Sequence, residues 1–218
     1  MQINWLGHAC FRILWAQNKH EPVRIVIDPF SEEIGLKLPP LEAELLLISH
    51  NHYDHNNIAK VRGNPFLIQE PGEYEVRDVF IQGIDSFHDD SQGKERGKNI
   101  IFTIEAEGLN ICHLGDLGQK RLTDEQLEKI GNIDILMVPV GGIFTIDGRG
   151  AQDIISQIEP RLVIPMHYSL PKLKIKLDSL DKFLKVMGQK AETQKKLKIQ
   201  KKDLPTEETE IVILEKAS

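Results

Sequence analysis

The 218-residue sequence predicts an α/β (α+β) protein, a sandwich of two mixed sheets covered by helices. Three observations lead there. Strand-like apolar runs outnumber helical patterns. The helical patterns interleave with strands mainly in the second half of the chain. Several apolar runs stop at histidines or at a Gly-Asp turn, so chemically competent side chains gather at strand ends, where a β-scaffold usually carries its sites. No repeat and no composition break marks a linker, so residues 1–218 read as one domain.

Residues 2–6, 10–16 and 23–27 are apolar or alternating runs and read as consecutive antiparallel strands. They are separated by Gly7-His8 and by a polar turn in which His20 reads as an ordinary surface residue. Asp28-Pro29 ends the third strand. Residues 31–44 are irregular, because Pro39-Pro40 forbids a helix. Residues 45–48 form a buried strand, and residues 56–62 a short helix. Residues 66–69 and 79–87 are strands around a Pro71-Gly72 turn, and 99–106 with 109–114 form a hairpin around Glu107-Gly108. Thr123 caps a helix over 124–130 through the Thr-x-x-Gln pattern of a capping box. A strand over 135–140 ends at Gly141-Gly142, a helix covers 150–158, and a strand over 162–165 delivers His167. Residues 177–187 form an amphipathic helix that Gly188 ends. The lysine-rich stretch 195–202 reads as an edge strand guarded by Lys, and 210–214 as a final strand.

The centre of the reading is Ser49-His50-Asn51-His52-Tyr53-Asp54-His55, directly after the 45–48 strand. Crowding three imidazoles and a carboxylate beside an apolar run leaves polar groups without partners unless a cation collects them. On an extended backbone His50, His52 and Asp54 point one way and His55 the other. Two ligand sets side by side imply two metal ions, roughly 3.5–4 Å apart as in two-metal hydrolytic sites.

The bulk numbers exclude other classes. A net charge of −6 argues against a general nucleic-acid binder. No run approaches eighteen apolar residues, so no membrane span is expected. The first residues carry no signal-peptide pattern, and Cys10 and Cys112 lie singly in apolar runs, which suits reduced thiols and a cytoplasmic protein.

The His-x-His-x-Asp-His pattern resembles the signature of the metallo-beta-lactamase-fold hydrolases, and the later motifs follow in order. The resemblance implies a four-layered αββα sandwich. It implies one metal site of His50, His52, His88 and Asp116, and a second of Asp54, His55, His167 and the same Asp116. Asp116, in the Gly115-Asp116-Leu117-Gly118 turn, is then the bridging carboxylate, and Asp28 stands behind a ligand imidazole and fixes its tautomer. Trp5-Leu6-Gly7-His8-Ala9-Cys10-Phe11 resembles the opening of the ascorbate-phosphate lactonase-like branch, which implies a catalytic role for His8 beside Asp54 and Asp116, with His113 as a further candidate. Zinc suits this donor set, and the same donors accept Mn²⁺ or Fe.

The expected reaction is hydrolysis of an ester, lactone or phosphodiester by a metal-bridging hydroxide. The expected partner is a small, anionic substrate, held by Arg96 and Lys98 and lined by Phe144, Thr145 and Tyr168. An iron-dependent oxidoreductase of the sulfur dioxygenase kind and a non-catalytic metal-binding module are the alternatives. Nucleic acid and membrane are not expected partners, and the oligomeric state is open.

Overall fold

The computed structural model describes residues 1–15, 21–189 and 191–217. His20 and the expected strand end at residue 16 lie outside the described residues.

Strands β1 (Gln2–Gly7), β2 (Cys10–Trp15) and β3 (Val23–Ile27) pair antiparallel in succession. A short ladder follows between β4 (Leu41–Glu42) and β6 (Val61–Arg62), while β5 (Leu45–Leu47) and β7 (Phe66–Ile68) continue the first sheet in parallel. The chain then crosses to the second sheet through β8 (Gly72–Val76), β9 (Val79–Phe87), β10 (Lys98–Ala106) and β11 (Leu109–His113), all antiparallel. Helix α1 (Asp124–Ile130), β12 (Ile135–Pro139), α2 (Gly148–Ile158) and β13 (Leu162–Met166) follow, with β11, β12 and β13 parallel. Helix α3 (Leu180–Met187), β14 (Ala191–Gln194), β15 (Leu197–Lys198) and β16 (Glu210–Leu214) complete the described elements. Among the described residues the strand orders are β15-β1-β2-β3-β5-β7 and β14-β16-β13-β12-β11-β10-β9-β8.

Strand periodicity explains why the sheets stack. Ile25, Ile27, Leu45 and Leu47 turn inward onto the core shared with Ile81, Ile101, Ile104 and Ile111 of the second sheet. Their neighbours Val26 and Leu46 turn outward into a second cluster with Phe30, Ile34, Leu38 and Val61. Here the covering layer is irregular chain with 3₁₀ turns at Glu32–Ile34 and Ile58–Lys60, where a short helix over 56–62 was expected. The α-helices cover the second sheet, with α1 on β9 and α2 on β12. Cys10 and Cys112 are buried free thiols. Among the described residues no helix is long and apolar enough to cross a membrane.

Most elements fall where the sequence places them, and three departures have local causes. Residues 72–76 are a strand, hairpinned to β9 through Arg77 and Asp78, which take left-handed φ of 53° and 60° without a glycine. Helix α2 starts at Gly148, two residues early, because the Asp147 carboxylate accepts from the backbone N–H groups of Arg149 and Gly150. Helix α3 starts at Leu180, three residues late, because the backbone of Asp178 is committed elsewhere: its N–H donates to Gly141 O and its carbonyl accepts from Ser169 N. Of the lysine-rich stretch 195–202 only Leu197–Lys198 is an edge strand, and Lys201–Asp203 is a 3₁₀ turn; the residues just before the stretch form the other sheet's edge. Ala191–Gln194 borders the second sheet on β16, and Leu197–Lys198 borders the first on β1.

The capping box of α1 is complete: Thr123 Oγ1 accepts from Gln126 N, and Gln126 Oε1 accepts from Thr123 N. Thr123→Ala is expected to cost about 1 kcal/mol, lowering the calorimetric Tm by roughly 2–4 °C for a chain of this size with metal uptake unchanged.

Candidate metal centre

Four strand exits converge on one rim of the sandwich. After β5 comes the Ser49–His55 segment, after β9 comes His88, after β11 comes Asp116, and after β13 comes His167. The β1–β2 turn adds His8. The backbone bends as these exits require. His8, Asp28 and His167 all take positive φ, at 55°, 47° and 53°. Gly115 also lies at positive φ, and a Cβ there would collide with Asn99 and Ser49.

The segment is not extended throughout. The N–H groups of His55 and Asn56 both donate to His52 O, at 2.9 and 3.0 Å, and this turn separates the ligands. Asp54 therefore does not share a direction with His50 and His52, as strict alternation would require. His50, His52 and His88 cluster on one side, with ring centroids 4.6–5.1 Å apart. Asp54, His55 and His167 cluster on the other, joined by His8. Between the two groups sits Asp116, whose Oδ2 lies 3.1 Å from His167 Nε2, 3.2 Å from His55 Nε2, 3.3 Å from His88 Nε2 and 4.0 Å from His50 Nε2.

Asp28 is a buried hub. Its Oδ1 accepts from Ser49 N at 2.8 Å, and its Oδ2 accepts from Ser49 Oγ at 2.6 Å and from His55 Nδ1 at 3.1 Å. Because the Ser49 hydroxyl spends its proton on Asp28, it accepts from His50 Nδ1 at 2.9 Å. Both imidazoles thus carry their proton on Nδ1 and turn Nε2 toward Asp116. Among the described residues, His50 Nε2, His55 Nε2 and Asp116 Oδ1 are buried without a hydrogen-bond partner. Oriented imidazoles and a carboxylate with orphaned, convergent lone pairs fit a divalent cation.

The electrostatics agree. Burial opposes the Asp116 charge, but His167 and His55 hold its carboxyl well below the usual range. Burial drives His50 well down. It acts on His55 too, yet Asp116 and Asp28 raise that imidazole well above its ordinary value. His8 is pushed down to about 4 by burial and by His167, so it is neutral at pH 7. Its Nε2 then meets Asp54 Oδ2 at 3.1 Å, and its carbonyl accepts from Trp5 Nε1 and His167 N.

His113 does not join this group. Its Nε2 donates to Ala9 O at 2.9 Å and its Nδ1 accepts from Gly115 N at 3.1 Å, so both ring nitrogens are spent on backbone and none is left for the catalysis expected of it. Arg96 and Lys98 line a cavity of about 330 Å³ beside His50 and His52, together with Glu70 and Asp85. Lys98 is largely exposed and pairs with Asp85 at 3.3 Å. Phe144 lies outside that cavity lining but packs under the Arg96 guanidinium, 5.7 Å from ring centroid to Cζ. Thr145 turns its hydroxyl to the Ile146 carbonyl, and Tyr168 is buried with its ring on Trp5, so neither reaches this cavity as a substrate contact.

Three residues of the site escape a reading of the sequence. Ser49 relays His50 to Asp28. Asn99, fully buried, accepts from Asp116 N at 2.9 Å and donates to Leu114 O and Ser86 Oγ. Asp89 gathers the loop beyond His88. Only Asn99 leaves a sequence signal, a polar residue at the head of an apolar strand.

Residues 2–167 match the family described as the beta-lactamase superfamily domain, and the chain belongs to that family. Within it, a UPF0173 metal-dependent hydrolase of Thermococcus onnurineus is 32% identical over 220 residues, covering 88% of this chain and 94% of the relative. Another, from Thermoplasma volcanium, is 30% identical over 198 residues, covering 78% and 84%. The crystal structure of a candidate Zn-dependent hydrolase of the metallo-beta-lactamase superfamily from Thermotoga maritima aligns with a TM-score of 0.79 at 37% identity, covering 98% of this chain and 97% of that one.

Asp28→Asn keeps one acceptor oxygen where three donors now converge. It is expected to weaken metal binding by roughly 10–100-fold in a chelator-competition titration. Wild-type affinity in the variant would show that the hub does not orient the imidazoles.

Proposed function

We propose that this protein is a hydrolase that works with two divalent metal ions and cleaves an ester, lactone or phosphodiester bond in a small, anionic substrate. One observation carries the reading: a single buried oxygen, Asp116 Oδ2, faces imidazole nitrogens from both ligand groups. His50, His52 and His88 would hold one ion, Asp54, His55 and His167 the other, and Asp116 would serve both. Zinc is favoured by the imidazole-rich set and by the description of the Thermotoga maritima relative.

Metal bound there supplies an acidified water and a Lewis acid for the developing negative charge. The chain's own residues do the rest. Asp28 and Ser49 fix the Nδ1 protons of His55 and His50 and so turn their inner nitrogens toward the site. The imidazole of His8, touching Asp54 from a buried position, orients that carboxylate. Arg96, at the edge of the neighbouring cavity, offers a planar fork to a carboxylate or phosphate.

Asp116→Ala is expected to lose metal and hydrolysis together. The measurement is metal content alongside turnover of metal-reconstituted protein across lactones, phosphodiesters, thioesters and β-lactams. Undiminished turnover of any substrate that the wild type cleaves would sink the assignment of Asp116.

A further inference from the structure

The carboxylate of Asp89, the residue after His88, is the organising centre of the next eight residues. It is buried, 3% exposed. Its Oδ1 accepts from Ser91 N, Ser91 Oγ and Gly93 N, at 2.8, 2.8 and 2.9 Å. Its Oδ2 accepts from Glu95 N at 3.0 Å and from Arg96 N at 2.8 Å. The loop closes on itself as well: Gly97 O accepts from His88 N, and Gly97 N donates to Gly93 O. Gln92, Gly93 and Gly97 take positive φ, a conformation that needs such external support at Gln92.

At the end of this clamp stands Arg96. Among the described residues its guanidinium makes no hydrogen bond, and the nearest carboxylate oxygen, on Glu95, is 3.8 Å away. Its face rests on Phe144, which restrains the group while leaving its N–H donors free. The same residue borders the cavity beside His50 and His52. A cation that is held from behind, paired only at 3.8 Å with the exposed Glu95 and next to the candidate metal centre is equipped to receive an anion.

We propose that Asp89 is a positioning residue for substrate recognition: its carboxylate sets the backbone at Arg96 so that the guanidinium meets the anionic group of the substrate beside His50 and His52. This rests on the reading above that the substrate is anionic. Asp89 touches no substrate itself. It acts through two backbone hydrogen bonds, from Glu95 and Arg96, and does not itself line the cavity.

The experiment uses metal-loaded full-length protein and inorganic phosphate as the probe, with binding measured by calorimetry. The variants are Asp89→Ala, Asp89→Asn, Arg96→Ala and the double Asp89→Ala/Arg96→Ala. Amide hydrogen exchange is followed over residues 91–97. Asp89→Ala is expected to keep its metal, to lose protection at Glu95 and Arg96, and to weaken phosphate binding on the order of tenfold, the scale of a charge-assisted hydrogen bond. Arg96→Ala should match it, and the double variant should be no worse than Arg96→Ala alone. Asp89→Asn keeps one oxygen acceptor and should fall between wild type and Asp89→Ala, which preserves the test should the alanine variant fold poorly. Phosphate affinity within twofold of wild type in a variant whose loop has lost protection would overturn the proposal. So would additive losses in the double variant. A wild-type protein that binds no phosphate but hydrolyses neutral esters would refute the anionic-substrate reading and this inference with it, leaving the metal-dependent hydrolase intact.

Discussion

A carboxylate sealed inside a protein must be neutralised where it lies, and Asp116 is 2% exposed. Its Oδ2 is met by nitrogens from His55, His88 and His167 at 3.1–3.3 Å. Those partners come from segments spread over more than a hundred residues, and each must arrive at hydrogen-bonding range. Parallel pairing of β11, β12 and β13 places the ends of those strands on one edge, and the parallel pairing of β3 with β5 does the same for Asp28 and the histidine segment. The sandwich brings the two edges together. Much of the topology can be understood as the framework that this convergence demands.

Convergence alone would leave loose rings. What makes the site specific is that the outer nitrogens of His55 and His50, and the backbones of Asp116 and His167, are tied. Asp28 holds His55 directly and His50 through Ser49, Asn99 holds the backbone of Asp116, and the carbonyl of His8 holds the backbone of His167. These groups have given up their rotational freedom during folding, so little remains to be lost when a cation arrives. Their partners are mostly side chains distant in sequence, which ties the integrity of the candidate site to that of the whole sandwich.

The division between what a one-dimensional reading found and what it missed follows from range. The strands around β1, β3, β5 and β9 announce themselves by local apolar runs, and the α1 cap by four consecutive residues. The candidate metal ligands announce themselves because histidines and aspartates crowd where apolar runs stop. Gly72–Val76 stayed hidden because Glu73, Tyr74 and Glu75 face largely outward and the turn that pairs them has no glycine. His113 stood out as a catalytic candidate through its position beside a Gly-Asp turn, and only the fold shows that its ring is bound to the Ala9 carbonyl. Ser49 reaches Asp28 and Asn99 reaches Asp116, partners that no local window contains. The identity of a covering layer, helix or irregular chain, is equally a matter of tertiary packing.

The stretch that matches the superfamily ends at residue 167, yet the sheets do not. β16 is wedged between β13 and β14, and β15 lies against β1. Ala217 N also donates to Trp5 O, closing the last described residues onto the first strand. A fragment cut at the family boundary would therefore expose raw backbone along β1 and β13, two invitations to pair with a neighbouring molecule. The stretch that matches the family and the stretch that completes both sheets thus have different lengths, and the strands after residue 167 are the difference between them.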